Sequence, residues 1–438
     1  MAQGVVNKEW VSLVPFLDQR DIIPKLIDVT NEEASLVDIM EMLGNSYPTR
    51  ESQFHNITNT ELFAPGIVQS SSGAPGTTVT VVLTTATAQN CIDNSVAFLA
   101  SGQRAYVKQN NAGTLTLVSV DGTNIIATDV QAGAAMTFPS VMFGEGSFGA
   151  TAERWSKQTY TNVIQIFKQK YELTDIQLAS DIEVAVNGQF NYMDVQRIES
   201  YLKFRKYISL GMIINKYSGD NFSSSSPTLI DLDGNSVNST RGLDQYVTSE
   251  GINYPLASST QWQLADIENI DAQLNAARAP KRYMVYTGTP MNQKLDNFLN
   301  ALNNSSQLSQ AGRFLISGDD LKLGIKSFSF YNRDYYKMVL PLMDDPNTLA
   351  YSGIGNISQS AYMVPLSQVK TVGGGSMPNL SLRYMRLGTG RDLRYMEQHT
   401  GGLVEPITTD QAIDAVNFYS AQGLQCLGTN FFVKVTPS

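Results

Sequence analysis

The sequence predicts an α+β chain of two or three sub-domains, with a small β-rich module inserted towards its N-terminal end. Three observations predict this. At 438 residues the chain exceeds the roughly 100–200 residues of one domain. Residues 66–143 carry alternating, β-branched runs broken by turn signals, the mark of antiparallel strands. Beyond them, helical and strand periodicities succeed one another around one long amphipathic helix.

Residues 1–65 read as an extended arm interrupted by one helix. Thr30-Asn31-Glu32-Glu33 fits a capping box, Leu36, Met40 and Leu43 follow at helical spacing, and Gly44 offers a left-handed stop. A single apolar stripe on a lone helix needs something outside the arm to pack against. In the β module, Thr77–Thr84, Arg104–Lys108 and Thr114–Val120 are strands, with turns at Asn110–Gly113 and Asp121-Gly122. Residues 150–180 hold a second alternating pair, Tyr160–Phe167 and Gln169–Leu173, read as a protruding hairpin.

The strongest helix spans about Asp194–Tyr217, with Val195, Ile198, Leu202, Ile208 and Met212 near one face and Glu199 four residues before Lys203. Then come a helix over Leu264–Ala277, a strand at Arg282–Tyr286, and a helix capped at Thr289-Pro290 with Leu295, Phe298, Leu299 and Leu302 inward. Ile325–Tyr331 and Tyr335–Leu342 form a hairpin turning at Asn332–Asp334. Thr408–Gln411 reads as a capping box before a short helix, and Phe431–Val435 is the last strand.

Only 16% of residues are charged, against about 25% in ordinary soluble domains. There are 20 Tyr, 18 Phe and 15 Met. Covered interfaces favour this balance, because they deplete Lys, Glu and Asp and enrich aromatics and Met. A net charge of −9 excludes a dedicated nucleic-acid binder and leaves only weak, non-specific contact with DNA. No apolar stretch approaches the ~20 residues that span a bilayer, so no membrane role is expected. Cys91 and Cys426 lie far apart in sequence and are expected to be free, buried thiols.

Each motif with a possible chemistry fails on its own spacing or context. Gly144–Gly149 is a formal GxGxxG, but a β pattern follows it where a dinucleotide site needs a helix. Asp231–Ser236 starts like a calcium loop, yet the sixth position is Ser236 and the twelfth Gly242, so a plain turn is expected. Only His55 and His399 could serve a catalytic triad, and no nucleophile elbow, CxxC or HExxH exists. Asp319-Asp320 and Asp344-Asp345 sit at turn signals and are expected to be solvated. No catalytic residue, metal ligand or cofactor is expected, and no enzymatic activity.

The order of elements and several stretches resemble one known family. Thr161–Phe167 followed by Tyr171–Asp175 resembles extended-loop strands, Arg197–Lys203 a spine helix, and Tyr283–Thr289 an axial-domain strand entering a helix. Together these resemble the HK-97-type major capsid proteins of tailed double-stranded DNA phages, in the branch with a small β domain before the extended loop. The resemblance implies an N-terminal arm at 1–65, an inserted β module at 66–149 and an extended-loop hairpin at 150–185. It further implies a spine helix at 186–224, a mainly axial domain with parts of the peripheral sheet at 225–400, and a C-terminal helix and strand at 401–438.

The same resemblance implies self-assembly as hexamers and pentamers into an icosahedral head enclosing DNA. The virion would then be its location, after assembly in the host cytoplasm, and portal, scaffold or decoration proteins its partners. Leu36, Met40, Trp155, Tyr160, Ile166 and Lys168 are the expected inter-subunit contacts, since arm and loop should pack mainly on other subunits. Lys157, Lys168 and Lys170 are the possible donors of a covalent cross-link, which is not expected. The alternatives are a nanocompartment shell on the same fold and, from another class, a carbohydrate- or surface-binding β protein.

Overall fold

The computed structural model describes residues 36–59, 65–85, 91–147, 157–174, 192–258, 261–304, 327–344, 357–370, 374–401 and 413–437. The chain divides into two compact units, one of Met1–Phe54 with Thr161–Ser438 and one of His55–Tyr160. The smaller unit is wider at both ends than the 66–149 module expected from sequence.

The larger unit opens with α1 (Leu36–Met42) and β1 (Ser46–Thr49), and the chain leaves along β2 (Gln53–Asn59). Leu36 and Met40 of α1 are buried in this unit's own core. That corrects the expectation that they pack on another subunit: the chain itself supplies the surface their stripe needs. Thr30–Glu33 lies outside the described residues.

The smaller unit is a barrel of β3 (Gly66–Ser72), β4 (Thr78–Leu83), β5 (Ser95–Phe98), β6 (Arg104–Asn111), β7 (Thr114–Ser119) and β8 (Ala135–Val141). It closes in the order β3-β4-β7-β6-β5-β8, so no ladder edge is left open. Val79, Val81 and Leu83 of β4 point inward with Ala105 and Val107 of β6 and Leu115 and Leu117 of β7. Every second residue is buried, which is what a pleat with one wet face demands. The Gly113 N–H donates to Asn110 Oδ1 at 2.9 Å and holds the expected turn.

The chain returns along β9 (Lys157–Val163), which pairs with β2, and passes at once into β10 (Gln165–Thr174). β9 and β10 do not pair with each other, so the hairpin expected over 150–185 is corrected. One residue, the buried Ile164, separates them, too few to turn a hairpin, and each strand has a partner distant in sequence.

Helix α2 (Tyr192–Ile214) lies on the sheet that contains β10. Its buried stripe is Phe204, Ile208 and Met212. Ile198 is 48% exposed instead of facing the core, and Phe204, which lay outside the expected stripe, stacks on Phe418 at 5.9 Å between centroids. From 197 to 203 no side chain is fully buried, so the sheet covers the C-terminal half of the described stripe.

Next come α3 (Leu243–Glu250), β11 (Ile252–Pro255), α4 (Leu264–Ala276), β12 (Arg282–Thr287), α5 (Thr289–Asn304), β13 (Ser327–Phe330) and β14 (Arg333–Val339). β13 and β14 pair with Phe330 opposite Arg333, so the loop is Tyr331-Asn332 and Arg333 stands in the strand, not in the turn. There its buried guanidinium pairs with Asp271 and donates to Asn275 Oδ1 at 2.8 Å, both on α4. Asp344, expected to be solvated, accepts the Thr289 N–H at 2.7 Å and so caps α5 from a distance. Gly288 is required here, because a Cβ would stand 2.3 Å from the Ser358 carbonyl oxygen.

The chain ends with β15 (Ala361–Pro365), β16 (Gln368–Lys370), β17 (Ser376–Pro378), β18 (Leu380–Met385), β19 (Met396–Gly401), β20 (Ile413–Cys426) and β21 (Val433–Thr436). One sheet runs β11-β21-β15-β12-β14-β13 over the second core; the other runs β1-β18-β20-β10, with β19 also on β20. The helix expected after Thr408–Gln411 is corrected: those four residues are outside the described ones, and Ile413–Cys426 is a central strand. It is paired on both edges and buried along most of its length, so it lacks the alternation that marks a strand in sequence. No described helix is long and apolar enough to cross a membrane.

Candidate assembly surface

Pleating splits β10 into two faces. Phe167, Tyr171 and Leu173 enter the core, while Ile166, Lys168, Lys170 and Glu172 face outward. Register then aligns rows across three strands: Lys168 is opposite Tyr419 of β20, itself opposite Met396 of β19. Lys170, Asn417 and Gln398 form the next row. These rows line an open groove of about 560 Å³ that also takes in Leu393. Beneath it Phe54, Ile164, Leu393 and Ala421 form a small buried cluster. Lys168 Nζ stands 6.0 Å from the Tyr419 ring centroid, a long cation–π contact that leaves the ammonium in water. Lys170 pairs with Glu172 along the strand.

A second groove of about 380 Å³ runs between α2 and β19, lined by Ile198, Tyr201, Tyr395 and Met396. Arg197 Nε and Glu397 Oε1, 2.7 Å apart, close one side of it. Behind it Arg205 pairs with Asp38, lies 3.8 Å from Glu41, and sits over the rings of Tyr201 and Tyr395. These contacts tie α1 to α2. Burial pushes the Glu41 carboxyl above its ordinary value against the Tyr395 hydrogen bond and Arg394, and burial pushes Tyr395 up to about 12.

The expected contact residues divide. Ile166 and Lys168 are brought together on the outward face, Ile166 37% exposed. Tyr160 is half-buried in the smaller unit, and Trp155 lies outside the described residues. Tyr419, Met396 and Gln398 were missed, and no local signal could have found them, since only long-range register places them beside Lys168.

The remaining chemistry is sparse among the described residues. His55 is exposed, and His399 Nε2 meets Glu397 Oε1 at 3.1 Å. Cys91 and Cys426 are free and buried; burial raises Cys91 to about 12 and Cys426 well above its usual value, so neither thiol ionises readily. No group of three His, Cys, Asp or Glu side chains among the described residues could hold a metal ion. Asp231 is a turn residue: its Oδ1 accepts the N–H groups of Asp233 at 3.0 Å and Asn235 at 2.7 Å. Gly144–Ser147 forms a turn, with the Ser147 N–H donating to the Gly144 carbonyl at 3.1 Å, and the residues that follow it lie outside the described ones.

The family described as SU10 major capsid protein matches residues 5–335. No curated protein matches the chain. Solved structures similar to it include one from Mycobacterium phage Ogopogo, 10% identical, TM-score 0.46, covering 97% of this chain and 99% of that one. Another, from Gordonia phage Cozz, is 10% identical with TM-score 0.45, covering 99% and 94%. A third, from Microbacterium phage Oxtober96, is 9% identical with TM-score 0.43 and covers 98% of each chain.

Proposed function

Because this chain belongs to the SU10 major capsid protein family, we propose that its copies meet as hexamers and pentamers in a closed icosahedral shell around phage DNA. It is a structural protein of the virion, a major capsid protein whose many copies build the phage head. The observation that carries the proposal is the family match across residues 5–335. The outward face of β10, β20 and β19 supports it, since Lys168, Tyr419 and Met396 are aligned in one row along an open groove, with Ile166 37% exposed beside them.

In this reading Ile166, Lys168, Tyr160 and Trp155 touch neighbouring subunits, while Leu36 and Met40 serve the chain's own core. Portal, scaffold or decoration proteins are its partners in the virion, and assembly takes place in the host cytoplasm. The net charge of −9 keeps contact with packaged DNA weak and non-specific. The protein works by repeated contact and carries no catalytic step.

Sedimentation of the purified chain tests this. The expected result is megadalton particles that take up DNA in the host. A species that stays monomeric at high concentration overturns it, and particles that enclose an enzyme in place of DNA favour a nanocompartment.

A further inference from the structure

The groove between α2 and β19 is apolar, open and set beside the start of the described chain. Ile198, Tyr201 and Phe204 line it from α2, and Tyr395, Met396 and Phe418 line it from the sheet side. Ile198 is 48% exposed there, because the sheet under α2 does not reach this turn of the helix. A hollow with aromatic and aliphatic walls is a binding surface more than ordinary wet surface.

Chain continuity points to the occupant. Arg205 sits over the rings of Tyr201 and Tyr395, both in the groove, and pairs with Asp38 of α1. Leu36, where α1 starts, is thus two residues from an acid anchored at the groove wall. Residues 1–35 precede it and lie outside the described residues. Their last aliphatic run is Ile22–Val29, where Ile22, Ile23, Leu26, Ile27 and Val29 are five of eight residues. Taking such side chains out of water is favourable, so the run gains by meeting an apolar surface. From Val29 to Leu36 the chain spans at most about 25 Å, which brings the run within reach of the groove. A tether that short gives an effective concentration on the order of millimolar, far above that of a second copy in dilute solution.

We propose that the aliphatic run Ile22–Val29 seats in the α2–β19 groove of its own chain, delivered there through α1. The contact forms within one chain and needs no shell, so its failure leaves the capsid reading intact.

The test places one cysteine in the run, as Leu26→Cys, Ile27→Cys or Val29→Cys, and a second as Ile198→Cys in the same full-length chain. The native Cys91 and Cys426 are buried and do not compete. On oxidation in dilute solution at least one pair should close a disulfide within the chain, seen as a faster band without reductant. A control pair that uses Lys203→Cys, which does not line the groove, should close about tenfold more slowly. Equal closure at 198 and 203, or no internal disulfide in any pair, overturns the proposal. So does a linked dimer from mixed single variants that exceeds the internal product, since it hands the groove to a second copy. A separate readout uses trypsin, whose cut after Lys25 needs the run released. Ile198→Asp should speed that cut about tenfold or more, with circular dichroism unchanged. Equal cutting of wild type and Ile198→Asp overturns the contact.

Discussion

In the barrel, Val81 pairs with Leu115 and Val107 with Leu117, partners that lie close in sequence. In the larger unit Lys168 pairs with Tyr419 and Ser46 with Leu382, so strands made early wait for strands made hundreds of residues later. The two also differ in surface. Ten of the 106 residues from His55 to Tyr160 are charged, against 61 of the remaining 332. The barrel therefore meets water mainly through hydroxyl and amide groups, while the larger unit fixes its elements with ion pairs such as Arg205–Asp38, Arg333–Asp271, Lys337–Asp296 and Lys434–Asp244. A closed, locally wired module is expected to fold by itself; the larger unit needs both ends of the chain.

The largest expected effect separates the two cores. Phe418→Ala should cost the larger unit about 3–5 kcal/mol and Leu117→Ala the barrel about 2–5 kcal/mol. In urea denaturation followed by hydrogen exchange, each variant should shift the protection of its own unit only. Joint loss of protection in both units from either change would break the comparison.

Ion pairing sharpens it next. Asp271→Ala strands the buried Arg333 guanidinium and should destabilise the larger unit by about 3 kcal/mol. Replacing Arg333 and Asp271 together by Met and Leu should recover most of that, read from the same denaturation curves. If the double variant is no better than the single one, the pair is not what holds β14 to α4.

A smaller effect depends on pH. Burial opposes ionisation of Asp220, but hydrogen bonds from Asn238, Ser223, Ser52 and the Phe222 backbone outweigh it and lower its pKa below 3.8. A depressed folded-state pKa contributes stability above the unfolded value and loses it as pH falls through the folded one. Asp220→Asn should thus be less stable than wild type at neutral pH, by under about 1 kcal/mol because the site is largely solvated. The two should converge in acid; a gap that widens as pH falls contradicts this assignment.

The smallest effect lies on the barrel exterior. Thr80 and Thr116 face each other on the outer side of β4 and β7, half-buried, and Thr80→Val should change stability by no more than about 0.5 kcal/mol. A larger loss, measured by thermal melting, would mean that hydroxyl pairing stabilises the barrel more than its core alternation implies.

The same contrast explains what could be read in advance. The barrel strands were legible because one buried face stamps a period of two on Val79, Val81 and Leu83. α4, β12 and α5 were legible for a related reason, each carrying its own cap or apolar stripe. β20 reads as helical in sequence because burial on both faces erases alternation, and its partners stand far away in the chain. The face of α2 is misjudged at Ile198 because periodicity shows that a stripe exists but not how far the sheet beneath it extends. At the candidate surface, Ile166 and Lys168 were named through the resemblance to an extended loop, with Lys168 in the gap between two expected strands rather than inside the single strand β10, whereas Tyr419, Met396 and Gln398 depend on register alone.

The most direct measurement of the central claim is electron microscopy of the purified full-length chain under assembly conditions. The account predicts closed shells built of six-fold and five-fold capsomers, with the chain as their principal component. A field of dispersed monomers at high protein concentration, with the fold intact by circular dichroism, would contradict it.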